Sequence, residues 1–222
     1  MSETSQSENY YRASLDAAPL HPPLSGQAKV DVCIVGGGFT GLSAALHLAK
    51  AGARVRLLET ETIGFGASGR NGGQIHTGFR QTQMDLERWL GQLHARDLWT
   101  LAEDAKALVR ALAAECAIGC ALKDGLVVAA HDRAAARELA EETEHLRTHY
   151  GYTEARMMDA AETAQQLGTD VYPAARFDSG GGHLQPLAFA RGLAQAAEQA
   201  GVLFHERTRA RCIEQANGGM RV

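Results

Sequence analysis

Lysine and cysteine are scarce in this sequence, an excess of cations is missing, and no long apolar run occurs. Of 222 residues only 4 are Lys, against 18 Arg, and the 26 Asp and Glu outnumber all cations to give a net charge of −4. A duplex-binding surface needs a phosphate-neutralising excess of positive charge. The composition, with its cations scattered along the chain, therefore speaks against a nucleic-acid partner. No stretch approaches the ~18 consecutive apolar residues that mark a membrane span. The polar start, Met1 to Gln6, has neither the basic residues nor the apolar core of a signal peptide. Four cysteines (Cys33, Cys116, Cys120, Cys212) without an export signal read as reduced thiols, so the expected location is cytoplasmic.

What remains is ample for a folded core. The chain is 45% hydrophobic and long enough for one large domain or a domain with an inserted partner. Residues 1–28 are polar and interrupted by Pro19, Pro22 and Pro23, so they read as an irregular lead-in. Val30–Val35 is a short apolar run stopped by Gly36, the pattern of a buried parallel strand. Leu42, Ala45, Leu46 and Ala49 then recur at helical spacing until Gly52, and Arg54–Leu58 forms a second strand ending at Glu59. A helical stretch from Asp85 to Cys116 slips phase near Gly91, which predicts two helices. A strand over 125–130, a helix over 132–150 and a short helix opened by Asp159–Glu162 follow. Ser179–His183 reads as a glycine turn before a helix that starts near Pro186 and stops at Gly201. Strands are expected at Val202–Phe204 and Arg209–Glu214, with a last one begun at Met220 and left unpaired.

Gly36-Gly37-Gly38-Phe39-Thr40-Gly41 fits G-x-G-x-x-G and stands where that pattern has a mechanism, between a strand and a helix. Gly36 permits the tight turn, Gly38 lets a pyrophosphate approach the backbone, and Gly41 allows the helix to pack closely on the strand. The helix start presents free N–H groups and a partial positive charge. Glu59 lies 18 positions after Gly41, at the end of the second strand, where it can accept hydrogen bonds from a ribose. No Arg replaces it, which argues against a 2′-phosphate. Six glycines then fall within 64–78, a long loop that can lay its backbone against a flat ring system.

Residues 36–49, 63–74 (Ile-Gly-Phe-Gly-Ala-Ser-Gly-Arg-Asn-Gly-Gly-Gln) and 181–187 (Gly-Gly-His-Leu-Gln-Pro-Leu) together resemble the D-amino-acid oxidase superfamily of FAD enzymes, nearest its gamma-glutamylputrescine oxidase branch. The resemblance begins at Tyr10-Tyr11 and runs to the end of the chain. It implies an α/β chain with a glutathione-reductase-like, Rossmann-type FAD-binding fold and an inserted α+β cap domain. FAD would take Gly36, Gly37, Gly38, Phe39, Thr40 and Gly41 at its pyrophosphate and Glu59 at its adenosine ribose. Ser68, Arg70, Asn71, Gly72, Gly73 and Gln74 would line the isoalloxazine. Ala210 stands where family members often place a valine whose backbone meets the adenine. The implied domain layout is a lead-in over 1–28, FAD-binding chain over 29–115, cap over 116–178, and a return to the FAD-binding domain over 179–222. By analogy a full-length member needs roughly twice this length. The sheet is therefore expected to be incomplete at the C-terminus and the fragment inactive, with catalytic residues unassigned.

The implied reaction is oxidation of a primary or secondary amine, with molecular oxygen as second partner. Hydride passes to the flavin, the imine hydrolyses and peroxide forms. A γ-glutamyl amine, as in putrescine catabolism, or an amino acid fits as substrate. The alternative is a non-catalytic FAD- or ADP-binding module derived from half an oxidase. Other constellations are weaker. His145 and His149 with Glu141 have metal-ligand spacing but read as a solvated helix face, Cys116 and Cys120 lack zinc spacing, and no metal is expected. His76 could face substrate but reads first as a loop contact, and Ser68 lacks a G-x-S-x-G setting.

Overall fold

The computed structural model describes residues 9–216 and 218–222; the first eight residues of the expected lead-in lie outside it. Along the chain the elements are α1 (Tyr10–Ala13), β1 (Val32–Val35), α2 (Phe39–Lys50), β2 (Val55–Leu58), a 3-10 turn (Ala67–Gly69), β3 (Gln74–Ile75), α3 (Gln83–Leu90) and α4 (Gln92–Glu115). There follow β4 (Lys123–Ala130), α5 (Arg133–Tyr150), β5 (Ala155–Met158), α6 (Ala160–Leu167), β6 (Ala174–His183), α7 (Pro186–Gln199), β7 (Leu203–His205), β8 (Glu214–Ala216) and β9 (Gly219–Arg221). These fold into two compact units. The first gathers the chain up to Gly72, Leu112–Cys120 and Gln185–Val222; the second is Gly73–Ala111 with Ala121–Leu184.

The first unit is built on a parallel sheet in the order β1-β2-β7, with Val32 opposite Val55 and Leu57 opposite Phe204. These are the three strands that periodicity places in it, with the third shifted by one residue. Leu42, Ala45 and Leu46, spaced to share one face of α2, are wholly buried, and Gly52 ends the helix at φ +91°. The α2 helix packs on α7, which buries Phe189, Ala190, Leu193, Ala194 and Ala197. Full burial of each leucine contributes about 1.5–3 kcal/mol. Pro186 opens α7 and the Gln185 side chain caps it by accepting the Ala188 N–H at 2.6 Å. The lead-in is not wholly irregular. Asn9 caps the short α1, and the following stretch is fastened to the end of β7, with the Leu24 N–H donating to Thr208 at 3.0 Å.

In the second unit the ten-residue β6 is the central strand. It pairs antiparallel with β4 on one side and with β3 and β5 on the other. Leu146, Tyr152 and Ala155 form a small core with Trp99 and Tyr150 against it. Gly91, at φ +80°, separates α3 from α4 where the phase slip predicts a break.

Several expectations need correction. Ser179–His183 is the end of β6 rather than a turn, because Gly182 pairs with Ile75 and Asp124 and His183 pairs with Gln74 and Lys123. No strand spans Arg209–Glu214. Among the described residues this mostly exposed stretch finds no strand partner before Glu214–Ala216, which pairs with Gly219–Arg221. The final strand is thus paired in a hairpin instead of left open. The units also divide the chain elsewhere than at 115 and 178. Residues 73–111 join the second unit because β3 pairs with β6 and α3 packs on α5. Residues 116–120 join the first, where the Gln185 N–H donates to the Cys120 carbonyl at 2.7 Å.

Candidate functional site

The turn from β1 into α2 is shaped by three local requirements. Gly36 sits at φ +106°, a backbone region that disfavours side chains, and its N–H donates to the Leu58 carbonyl at 2.8 Å. Gly41 lies so close to the Gly36 carbonyl that any Cβ would collide with it, which brings the helix onto the strand. Gly38 caps α2 without a side chain, and a Cβ there would stand 2.9 Å from the Ser68 hydroxyl. The N–H groups of Gly38, Thr40 and Gly41 meet no acceptor among the described residues. A helix N-terminus with unclaimed donors and no side chains in the way is a seat for phosphate oxygens. The residues present therefore fit a dinucleotide.

Glu59 closes this seat. One of its oxygens accepts the Gly37 N–H at 2.6 Å and the other accepts the Glu61 N–H at 2.8 Å. Each carboxylate oxygen keeps a lone pair for a sugar hydroxyl. Its backbone is clamped as well, with its N–H on the His205 carbonyl and its carbonyl accepting from Thr208. Ala210 lies two residues beyond Thr208 on half-buried, irregular chain.

The glycine loop is tied to the same turn. The Gly64 N–H donates to the Gly37 carbonyl at 2.9 Å, and Ser68 Oγ accepts the Phe39 N–H at 3.0 Å. The structure thus brings Gly36–Gly41, Glu59 and Ser68 together. Arg70 and Asn71 instead fold back onto their own loop. The Arg70 Nε donates to the Phe65 carbonyl at 2.7 Å with its guanidinium over the Phe65 ring, while the Asn71 amide donates to the Ala67 carbonyl at 3.0 Å. Gly72 ends the first unit, and Gly73 and Gln74 begin the second, where Gln74 pairs with His183 and approaches His76 at 3.4 Å.

Sequence reasoning missed the residue that braces the loop. Glu206 is buried, and its carboxylate accepts the Ile63 N–H at 2.6 Å and the His21 N–H at 2.8 Å. In sequence it is one more charge in His205-Glu206-Arg207, with no local pattern to mark it.

The second unit holds a buried polar network around Tyr152. Its hydroxyl donates to Asp178 at 2.6 Å and lies 2.8 Å from the Thr77 hydroxyl, while the Lys106 ammonium reaches Thr77 at 3.0 Å. Burial, then the Asp178 carboxylate, push the Tyr152 phenol far above its ordinary value. Burial opposes ionisation of Asp178, yet the Thr77 and Tyr152 hydroxyls and the Lys106 charge together hold its carboxyl below the usual range. His145 is not on a solvated face: its Nε2 lies 3.0 Å from Glu87 and its ring stacks on His149 at 4.3 Å.

A parallel sheet whose first strand turns through bare glycine into a helix, answered by an acidic strand end, defines a dinucleotide-binding fold of the flavoprotein kind. The chain belongs to the DAO family of FAD dependent oxidoreductases, whose model matches residues 31–222. It is 38% identical over 212 residues to a probable oxidoreductase OrdL of Rhizobium meliloti, covering 96% of this chain and 50% of that protein. It is 37% identical over 204 residues to the gamma-glutamylputrescine oxidoreductase of Escherichia coli, covering 91% and 47%. Among solved structures, glycine oxidase from Geobacillus kaustophilus superposes with a TM-score of 0.73 at 26% identity, covering 86% of this chain and 52% of that one. The L-amino acid deaminase of Proteus myxofaciens shares the fold at a TM-score of 0.72 and 24% identity, over 93% and 44%. The chain spans about half the length of the curated relatives it matches. FAD is the cofactor of the family, and no helix among the described residues is long and apolar enough to cross a membrane.

Proposed function

We propose that this chain supplies the FAD-binding part of a cytoplasmic oxidase that converts a primary or secondary amine to an imine, with a γ-glutamyl amine or an amino acid as substrate. The observation that carries the reading is the set of unclaimed N–H groups at the start of α2 beside the anchored Glu59. In it, the backbone of Gly36–Gly41, with Gly37, Phe39 and Thr40 in the turn, holds the pyrophosphate, and Glu59 accepts from the adenosine ribose. The backbone around Ala210 borders the adenine, and Ser68 to Gln74 border the ring. Bound there, FAD supplies a hydride acceptor at N5 and a route for the electrons to molecular oxygen. The chain's own part is to bind and orient. Ser68 fixes the helix start through Phe39, and Glu206 holds the loop at Ile63. The free imine hydrolyses in water. Similarity to the gamma-glutamylputrescine oxidoreductase supports the amine, as does likeness to glycine oxidase.

The test is a peroxide-release screen of γ-glutamyl amines, polyamines and amino acids on the full-length protein, with its flavin spectrum recorded alongside. Peroxide formed in step with loss of a γ-glutamyl amine or an amino acid is expected. A flavin-free protein that retains full stability would overturn the cofactor assignment, and a flavin-loaded protein inert to every amine would overturn the reaction.

A further inference from the structure

Away from the turn that holds the dinucleotide seat, the first unit contains a cleft of about 910 Å³, a size suited to a metabolite. It is bounded by the lead-in after α1, the chain at 116–119 and the exposed side of α7. Four of its lining residues, Arg12, Thr62, Ile63 and Arg191, also line a smaller cavity of about 20 Å³, enough for a water-sized group. That smaller cavity is bordered by three arginines, Arg12, Arg70 and Arg191, and by no carboxylate.

None of these three arginines forms an ion pair among the described residues, although the Glu206 charge is felt at Arg191. Arg191 spends one N–H on the Asp16 carbonyl at 2.9 Å, which fixes its guanidinium and leaves its other donors free. The backbone that carries Arg12 is held by the cap of α1 and by Gln185, whose amide donates to the Tyr11 carbonyl at 2.9 Å. The nearby Glu206 is already committed to two backbone N–H groups, and Glu198 lies by His21 at 3.7 Å. Two guanidinium groups, one of them anchored, that border a cavity lined by no carboxylate match a planar or tetrahedral oxyanion.

We propose that Arg12 and Arg191 form a binding site for an oxyanion, a carboxylate or phosphate group seated in the larger cleft with one oxygen in the small cavity. Burial, and then the Arg12 charge, push the Arg191 guanidinium down from its ordinary value against the opposing pull of Glu206, and an anion between the two arginines offsets their repulsion. The site is separate from the seat at α2. The glycine loop turns Ser68 toward Phe39 there, while Gly64, Phe65 and Gly69 border the small cavity. The oxyanion has two sources, a free metabolite or an acidic side chain from elsewhere in the full-length protein.

The experiment uses the full-length, flavin-loaded protein, with inorganic phosphate and citrate as probes and sodium chloride at matched ionic strength as control. If the ligand is free, either probe raises Tm by about 2–4 °C in the wild type, as saturable ligand binding does. The shift disappears in the Arg12→Gln/Arg191→Gln double variant, and the double Arg→Lys variant keeps part of it. If an internal carboxylate fills the site, neither probe acts, and the double Gln variant loses several degrees that the Lys variant largely keeps. Equal shifts with chloride would overturn the site, as would variants as stable as the wild type with no probe effect. Loss of FAD from either arginine variant would also overturn it, by moving these residues into the cofactor's own site. Flavin content and peroxide release report separately on the oxidase reading, so each proposal can fail alone.

Discussion

Two glycine clusters, Gly36–Gly41 in the first unit and Gly180–Gly182 in the other, are similarly bare in sequence, yet the space and donors beside them are used differently. At the first cluster the Gly38, Thr40 and Gly41 N–H groups have no acceptor among the described residues. At Gly180–Gly182, protein atoms fill what the glycines leave open. The Tyr152 hydroxyl occupies the place of a Gly180 side chain, the Lys123 carbonyl stands 2.6 Å from where a Gly182 Cβ would be, and Asp178 accepts the Gly180 and Gly181 N–H groups. The same residue thus leaves backbone donors open in one unit and makes a tight strand crossing in the other. Unclaimed backbone donors, rather than glycine density, distinguish the two.

Substitutions sharpen this contrast. The largest effect is expected from Gly41→Val, because the added side chain meets the fixed Gly36 carbonyl. The cost is at or above the about 1–3 kcal/mol of an overpacked core, and flavin should be lost with it. Full flavin absorbance in that variant would break the comparison. Gly182→Ala should cost about 1–3 kcal/mol in a urea titration by pressing on the Lys123 carbonyl, while FAD affinity stays unchanged. A comparable loss of FAD affinity would mean that both clusters serve the ligand. Glu59→Ala removes the proposed ribose acceptor and also strands the Gly37 and Glu61 N–H groups, so FAD binding should weaken by about 1–3 kcal/mol in a fluorescence titration.

The smallest effect is a pH dependence confined to the second unit. Asp178 is held below its ordinary pKa in the folded chain, so between the unfolded value of about 3.9 and that lower value the unfolded chain binds more protons. Its contribution is complete above this interval and is lost as the pH falls through it. Asp178→Asn should therefore flatten the acid limb of the stability curve, measured by urea midpoints at successive pH values. An unchanged acid limb would show that the Tyr152 network carries no charge-dependent stability.

The contrast also explains which parts of the molecule are legible in the sequence. β1, α2 and β2 announce themselves because Leu42, Ala45 and Leu46 keep helical spacing between two apolar runs, and Gly36 and Gly52 mark the ends. The break at Gly91 and the Asp159 cap, which accepts the Glu162 N–H at 2.9 Å, are equally local. β6 is hidden because Ser179 to Gly182 have almost no side chains with which to show alternation. Its strand identity comes from β3 and β4, which are distant in sequence. Of the candidate site, Gly36–Gly41 and Glu59 are readable from spacing. The Ser68 hydrogen bond to Phe39 and the burial of Glu206 arise only when the loop and β7 meet the turn. His145 misleads because its partner Glu87 lies on another helix.

The chain enters and leaves the second unit twice, and this threading sets an order of events during synthesis. Once Leu184 has been made, all of the second unit that lies within these 222 residues exists. The first unit still lacks α7 and β7, and with them the buried Leu193, Val202 and Phe204. Until Leu203–His205 emerges, one edge of β2 has no neighbour and the apolar face of α2 has no α7 to cover it. Pairings between distant segments form slowly, and open strand edges recruit other chains. A pause in elongation after Leu184 therefore lengthens the interval in which the first unit is prone to aggregate.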